Sequence, residues 1–415
     1  MRILFFCHFD SPLPGSGGSV FVGWIGALLD ALSARRGLEI GVAAFSKSGP
    51  GMSVSGGRTF FSMRHDGSFR NRVVRLFDVS ARDGSDVDAC LRVVERFNPD
   101  VIQVFGTEGP AGLLAERTSV PVVVHLQGLL GPSLNAWIPP FCSVRDLLIR
   151  TGCSPVRVAR QWHAWRFNRH VAVREREILR NCKFFLGRTE WDRTYVSLYA
   201  PRARYFHCEE VLRPEFSRPA DRHPSGKPVF ASTLSGPLYK GHDVVLKTAK
   251  VLCETGHADF EWRVFGVDDF RFAGKKTGIR AGDVHVRPMG LVPAPVLRDG
   301  LLSCTAYVHP SYIDNSPNGV CEAQVLGVPV VATDVGGVSS IVEEGKTGFL
   351  VPANDPVALA GRMIGLATGS LRLPVGWEAG PRSRHDPVRV VDRVLEIYRE
   401  IAGAPSGTKD GGTAS

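Results

Sequence analysis

No Cys-x-x-Cys pair occurs in this sequence. Its nine cysteines, at positions 7, 90, 142, 153, 182, 208, 253, 304 and 321, are odd in number and scattered, which excludes the ligand spacing of small zinc folds and of thioredoxin-like sites and points to a reducing, cytoplasmic setting. Long apolar runs are missing as well. The longest candidate, 20–32, is broken by Asp30 and falls short of the roughly 18 residues that a membrane-spanning helix needs. Residues 1–7 carry one basic residue and an apolar run shorter than the core of a secretory signal, with His8 and Asp10 close behind; they read as a first strand. No repeat with a period of about 20 to 50 residues is present, so solenoids and propellers are excluded. Strong charge of either sign is absent too. Fifty Lys and Arg against 41 Asp and Glu leave a net +9, an excess that suits anionic ligands, anionic lipid surfaces and nucleic acid equally.

What is present is ordinary globular composition. The 415 residues are 44% hydrophobic and 22% charged, enough for two or three domains with their own cores. Short runs rich in Val, Ile and Phe alternate with helical stretches, the pattern of βαβ units around a parallel sheet buried on both faces. The alternation happens twice. Runs at 3–7, 40–45, 101–105, 122–126 and 184–187, with helices such as 20–35 and 87–97, form one series. Runs at 229–233, 262–266, 284–288, 306–309 and 330–332, with helices such as 243–253 and 318–326, form the other. Residues 212–228, crowded with Pro and charge, read as the linker between them. The expected fold class is therefore α/β with two doubly wound domains, 1–215 and 226–387. Apolar residues at Val390, Val391, Val394, Leu395, Ile397, Tyr398 and Ile401 predict a last amphipathic helix over 388–402. The final 403–415 is too poor in apolar residues to order itself and is expected to be a flexible tail.

The richest segment is HPSYIDNSPNGVCEAQVLGVP, 309–329. A strand ends at His309, Ser316 can cap a helix with Pro317 in its first position, and Gly327 with Pro329 stops it. A helix start at Asn318 would face the carboxyl end of the sheet, where unpartnered amides and the positive end of the macrodipole bind anions. Gly319 lets a phosphate come close to the backbone. Glu322, one turn on, can accept hydrogen bonds from a ribose diol, and Asp314 lies in the loop that would border a sugar. The plainer reading is a capped helix with two surface acids. At the head of the second series, VFASTLSGPLYKG, 229–241, runs from a strand through small residues to Lys240-Gly241. There an ammonium group can reach a diphosphate held over the sheet edge; the plainer reading is a solvated lysine.

Asp314-x7-Glu322, followed by Ala323, Gly327, Pro329-Val330-Val331-Ala332-Thr333 and Gly336-Gly337, resembles the signature region of retaining glycosyltransferases of family 4, which have the GT-B fold of two Rossmann-like domains facing across a cleft. That family normally has Glu at both ends of the spacing, so Asp314 is one methylene short. Lys240-Gly241 is similar to the family's phosphate-binding Lys-Gly, but the family's Arg six residues earlier is Leu234 here, with Thr233 and Ser235 as the hydroxyls that remain. Gly266 and Pro288-Met289-Gly290-Leu291 are similar to family landmarks that edge the nucleotide base. The resemblance implies Lys240, Asp314 and Glu322 as catalytic residues, and Thr233, Ser235, Gly266, Gly290, Leu291, Asn318 and Gly319 as donor contacts. It also implies a last helix that packs back on the N-terminal domain, a nucleotide diphosphate sugar as co-substrate, and no metal or other cofactor. The implied partners are a saccharide, lipid-linked saccharide or small-molecule acceptor and no nucleic acid, and the implied role is envelope, exopolysaccharide or glycoconjugate synthesis in the cytoplasm.

For the acceptor the resemblance points to Gly17 and Gly18, within Pro14-Gly15-Ser16-Gly17-Gly18-Ser19, and to Gln127, where the family often has His. The glycines do not make a dinucleotide fingerprint, because Val20 stands where a third Gly is needed, and a tight turn explains them as well. Gln127 can orient a hydroxyl but relays no proton. Residues 144–183 hold ten Lys and Arg against three acids, with Trp162, Trp165 and Phe167 among them. They form either a surface for anionic membrane or a polyanionic acceptor, or a solvated helix with its aromatics in the core, and the second is the expectation. Gly187-Arg188-Thr189, Trp191-Asp192, the run 205–210 and Leu212-Arg213 resemble a recurrent stretch in one branch of these bacterial enzymes, to which no catalytic role is assigned here. The rival reading, fed by Leu234, Asp314 and Gln127, is a non-catalytic subunit that keeps nucleotide-sugar binding.

Overall fold

The computed structural model describes residues 1–7, 23–46, 49–65, 80, 83–146, 154–218 and 220–403. Gly17, Gly18 and the tail 404–415 lie outside them. Two sheets carry the fold. The first has eight strands: β1 (Arg2–Phe6), β2 (Glu39–Phe45), β3 (Gly51–Ser55), β4 (Arg58–Met63), β5 (Val101–Phe105), β6 (Val122–His125), β7 (Phe184–Gly187) and β8 (Arg204–His207). Their order is β3-β4-β2-β1-β5-β6-β7-β8, parallel except for the β3–β4 hairpin. The second has six: β9 (Val229–Thr233), β10 (Glu261–Phe265), β11 (Val286–Gly290), β12 (Ala306–His309), β13 (Val330–Thr333) and β14 (Phe349–Val351). Their order is β11-β10-β9-β12-β13-β14, parallel throughout. The two sheets correspond to the two series of the alternation.

The central strands are rich in Val, Ile, Phe and Ala and mostly buried on both faces, because helices cover both sides of a parallel sheet. Of the strands that the alternation misses, β3, β8 and β14 lie at the sheet edges, where one side has no neighbour, while β4 lies between β3 and β2. β3 is almost wholly exposed, and its pairing with β4 turns on Gly56-Gly57, both at positive φ, a two-residue hairpin connection. In the first sheet the strand order reverses beside β1, and in the second beside β9. Open α/β sheets take ligands outside the carboxyl ends of the strands at such switch points. The ends that matter are therefore Thr233 of β9 and His309 of β12.

The last helix, Pro387–Ala402, is capped by the Asp386 carboxylate, which accepts from the Arg389 amide at 2.9 Å. Its apolar stripe, Val390 to Ile401, packs into the N-terminal core beside Ile25, Leu28, Leu29 and Leu32, and the buried Tyr398 hydroxyl donates to Gln103 of β5. The helix Pro387–Ala402 thus packs on the domain that holds β1. Residues 212–228 are more than a linker: Leu212 and Phe216, the latter in a short helix Pro214–Ser217, are buried in the C-terminal core beside Val229, Leu301 and Val320. Two isolated apolar residues leave no period for a sequence pattern to register.

The basic helix Pro155–Asn181 overturns one expectation. Its aromatics are not in the core: Trp162 is 57% and Trp165 38% exposed, overlain by Arg166 and Arg169 with ring-centroid distances of 4.7 and 4.8 Å. Only the second half of the helix, through Val171, Ala172, Ile178 and Leu179, has a core to bury into. Among the described residues no helix is long and apolar enough to cross a membrane.

Candidate functional site

β9 ends at Thr233, and the chain turns through a short 3-10 segment, Leu238–Lys240, into the helix His242–Glu254. Gly241 makes the turn possible. Its φ is +85°, and a Cβ there would stand 2.1 Å from the Pro310 carbonyl oxygen, so only glycine brings this loop against the one that follows β12. The two loops are stitched by the Tyr312 amide donating to the Tyr239 carbonyl at 2.7 Å. This contact places the Lys240 ammonium 2.6 Å from Asp314 Oδ2, with His309 Nε2 3.1 Å from the same oxygen. Burial alone would raise the Asp314 carboxyl, but Lys240 and then His309 outweigh it and hold it well below the usual carboxylate range. The pair is a preformed ionic link between the carboxyl ends of the two switch-point strands.

After Asp314 the chain enters the helix Asn318–Val325. Its N-cap position is Pro317, with no side-chain cap, and not Ser316 as the sequence predicts; the Ser316 carbonyl instead accepts a hydrogen bond from Arg188 at 2.6 Å. Gly319 lies directly over the end of β9. A Cβ there would come within 2.3 Å of Tyr307 Oη and 2.4 Å of Thr233 Oγ1, two hydroxyls that are 2.6 Å apart. Thr233 is therefore already engaged by Tyr307.

A crevice of about 340 Å³ opens beside this helix start, with Thr233, Gly266, Leu291, Asn318, Gly319 and Glu322 on its C-terminal wall and Gly23 and Trp24 of the N-terminal domain facing them. Gly266, at φ +88°, passes so near the Leu234 carbonyl that a Cβ would sit 2.2 Å from it. Its amide donates to the Gly290 carbonyl at 2.7 Å, so Gly290 supports the wall from behind. Five of the residues implied as donor contacts, and Glu322 with them, thus share one cavity. Lys240 and Asp314 stand beside it on the adjoining loops, while Ser235 is exposed and Gln127 half-buried beyond β6, neither of them on the cavity wall.

Arg213, Trp24 and His125 join the site without a role given to them by the sequence. Glu322 is 4% exposed, and Arg213 grips it with a two-pronged fork, Nε to Oε1 and Nη2 to Oε2, both 2.8 Å. Burial raises the Glu322 carboxyl and Arg213 draws it back only in part. Trp24 covers His125, with ring centroids 4.9 Å apart; burial, then the Arg188 charge, push this imidazole down to about 3, so it is neutral. Among the described residues no group of three His, Cys, Asp or Glu is placed to hold a metal ion.

Comparison with known proteins decides the family of the C-terminal domain. Residues 227–368 match the family described as glycosyl transferases group 1. The C-terminal domain is a group 1 glycosyl transferase domain. A D-inositol 3-phosphate glycosyltransferase of Thermomonospora curvata is 27% identical over 202 residues, 41% of this chain and 42% of that one. The putative colanic acid biosynthesis glycosyltransferase WcaL of Escherichia coli is 31% identical over 168 residues, 38% and 41%. The matched stretches span less than half of these relatives. A sucrose-phosphate synthase of Thermosynechococcus elongatus superposes over 96% of this chain and 98% of its own with a TM-score of 0.66 at 15% identity, a likeness of fold that covers both domains. The group 1 domain holds the Lys240–Asp314 pair, the glycine-opened helix start and Glu322; the N-terminal domain supplies Trp24, and Arg213 comes from the segment between them.

Proposed function

We propose that this chain transfers a sugar from a nucleoside diphosphate sugar to an acceptor hydroxyl, with retention at the anomeric carbon and without a metal ion. The observation that carries this reading is the grouping of a cation, an open helix start and a buried carboxylate at the carboxyl ends of the switch-point strands: Lys240, Asn318 with Gly319, and Glu322. A diphosphate lying against the helix start meets unpartnered amides and the positive end of the dipole, with Lys240 beside it. Negative charge grows on the diphosphate as its bond to the sugar breaks, and fixed donors of this kind stabilise that charge most as it forms. Glu322 takes the ribose hydroxyls, the backbone of 288–291 borders the base, and Asp314 meets the donor sugar. In same-face attack the acceptor proton passes to a donor phosphate oxygen, so no enzyme base is assigned.

The test is thermal unfolding with UDP, GDP, ADP and their common sugars, each with and without EDTA. A ligand at about a hundred times its dissociation constant adds about 2.7 kcal/mol, or roughly 5 to 10 °C for a domain of about 150 to 250 residues. One base is expected to stand out, with EDTA making no difference. No shift from any nucleotide sinks the reading.

The acceptor belongs to envelope or exopolysaccharide chemistry, a role supported by the colanic acid pathway in the name of the E. coli relative. The exposed Trp162 and Trp165, each under an arginine, are the amphipathic combination that settles at a headgroup boundary, so the basic helix docks on anionic membrane. Sedimentation with vesicles of phosphatidylglycerol and phosphatidylcholine is expected to bring the protein down at low salt, and W162S/W165S to leave most of it in solution. Equal sedimentation of both proteins rules the helix out.

A further inference from the structure

Arg188 lies in the loop after β7, in the N-terminal domain, and is 2% exposed. Its Nη2 donates to the Ser316 carbonyl at 2.6 Å and to Asn318 Oδ1 at 2.7 Å, and Nη1 lies 3.6 Å from Cys321 Sγ. It therefore wraps the first turn of the helix that opens the donor crevice. On charge alone this is the wrong place for a cation, because the dipole is positive at a helix start, and burying a guanidinium adds a desolvation cost. Glu210, also buried, stands 3.2 Å away and offsets part of it. Arg188 does not line the crevice, so its effect on a ligand passes through Asn318 and the backbone it holds.

Neighbouring residues of the same stretch do likewise. The Thr189 hydroxyl donates to Asn315 Oδ1 at 2.8 Å and accepts from the Asp192 amide at 3.1 Å, while the Tyr205 hydroxyl donates to Asp192 Oδ1 at 2.5 Å. Thr189 also packs where a Cβ on Gly337 would stand only 2.6 Å from its methyl carbon. The loop 315–318 is thus shaped on one side by its own domain and on the other by the N-terminal domain.

We propose that Arg188 is a positioning residue of the donor site: from the N-terminal domain it fixes the Ser316 carbonyl and the Asn318 side chain, so that the helix start receives a diphosphate only while the two domains are in contact. The proposal rests on the donor-site reading above and adds its coupling to domain closure. A donor site completed by the second domain limits loss of donor to water, because the phosphate pocket is whole only when the cleft is shut.

The experiment compares UDP, GDP and ADP with their monophosphates by calorimetry, using the unmodified protein, R188M/E210Q and T189V. The double variant removes both partners of the buried pair, so no orphaned charge remains; burial already pushes the Glu210 carboxyl up to about 7, which makes glutamine a mild exchange. Hydrogen bonds from a charged donor contribute about 1.5 to 3 kcal/mol, so the double variant is expected to bind the preferred diphosphate about tenfold or more weakly, with the matching monophosphate within about threefold. A merely structural loss would weaken both alike. T189V, which gives up the two neutral bonds of the Thr189 hydroxyl, to Asn315 and from the Asp192 amide, and leaves the charged pair in place, is expected to move in the same direction by about threefold. An unchanged ratio of diphosphate to monophosphate affinity in T189V, and in R188M/E210Q wherever it melts as a folded protein, overturns the proposal and leaves the donor site standing. Failure of the unmodified protein to bind any of the nucleotides overturns the donor-site reading itself.

Discussion

Lys240→Met is expected to lower turnover by about a hundred- to a thousandfold, the loss seen when a single preorganised group is taken from a developing anion, while the protein still melts cooperatively. Lys240 is partly exposed, with 21% of its side chain accessible, and its partner Asp314 keeps the His309 contact at 3.1 Å, so the fold does not depend on the ammonium. Removing it frees the Asp314 carboxyl to climb from its depressed value, since the neighbour that chiefly offset burial is gone. The measurement is release of nucleoside diphosphate in the presence of acceptor extract, with donor affinity followed separately. A fall in the rate constant larger than the loss of donor affinity places Lys240 on the charge that forms in the transition state. Lys240→Arg keeps the charge but exchanges a compact ammonium for a planar fork, and is expected to recover only part of the activity. Full activity in Lys240→Met removes the phosphate role assigned here.

Much of the site was legible because its signals are local. Gly241, Gly266 and Gly336 each adopt positive φ at a point where a Cβ would strike a carbonyl within about 2.2 Å, and glycines of that kind stand out beside the apolar runs they terminate. The strands β5, β7, β9 and β12 fall where the apolar runs put them, since burial on both faces makes such strands mostly apolar. The contacts across the domain boundary were not legible. Arg188 meets Asn318 across 130 positions of sequence, and Arg213 meets Glu322 across 109; no period or spacing links such pairs. The helix Asn318–Val325 also lacks the Ser316 cap that its sequence offers, because the N-terminal domain engages the Ser316 carbonyl and Pro317 takes the N-cap position. Trp162 and Trp165 went the other way, since composition cannot say how far a long helix runs past the core that half of it covers.

Arg213→Met is expected to destabilise the protein by about 2 to 4 kcal/mol, somewhat less than the cost of breaking a fully buried pair because 21% of the arginine side chain is accessible. The cost comes from Glu322, left in the crevice without the fork that satisfied both its oxygens. Its carboxyl already sits above its ordinary value through burial, and without Arg213 it rises further. A raised carboxyl means that the folded chain holds a proton which the unfolded chain releases, so the contribution is favourable at low pH and is lost as pH rises through the folded value. The gap in thermal midpoint between Arg213→Met and the unmodified protein is therefore expected to narrow as pH falls and Glu322 takes up its proton. R213M/E322Q, with no buried charge to strand, is expected to regain most of the stability at every pH but not the nucleotide affinity, because glutamine offers a ribose diol one acceptor oxygen in place of two. Stability and binding then separate: the arginine orders the carboxylate, and the carboxylate holds the ribose. A midpoint gap that is constant with pH, or a double variant that binds nucleotide as the unmodified protein does, contradicts that division of labour.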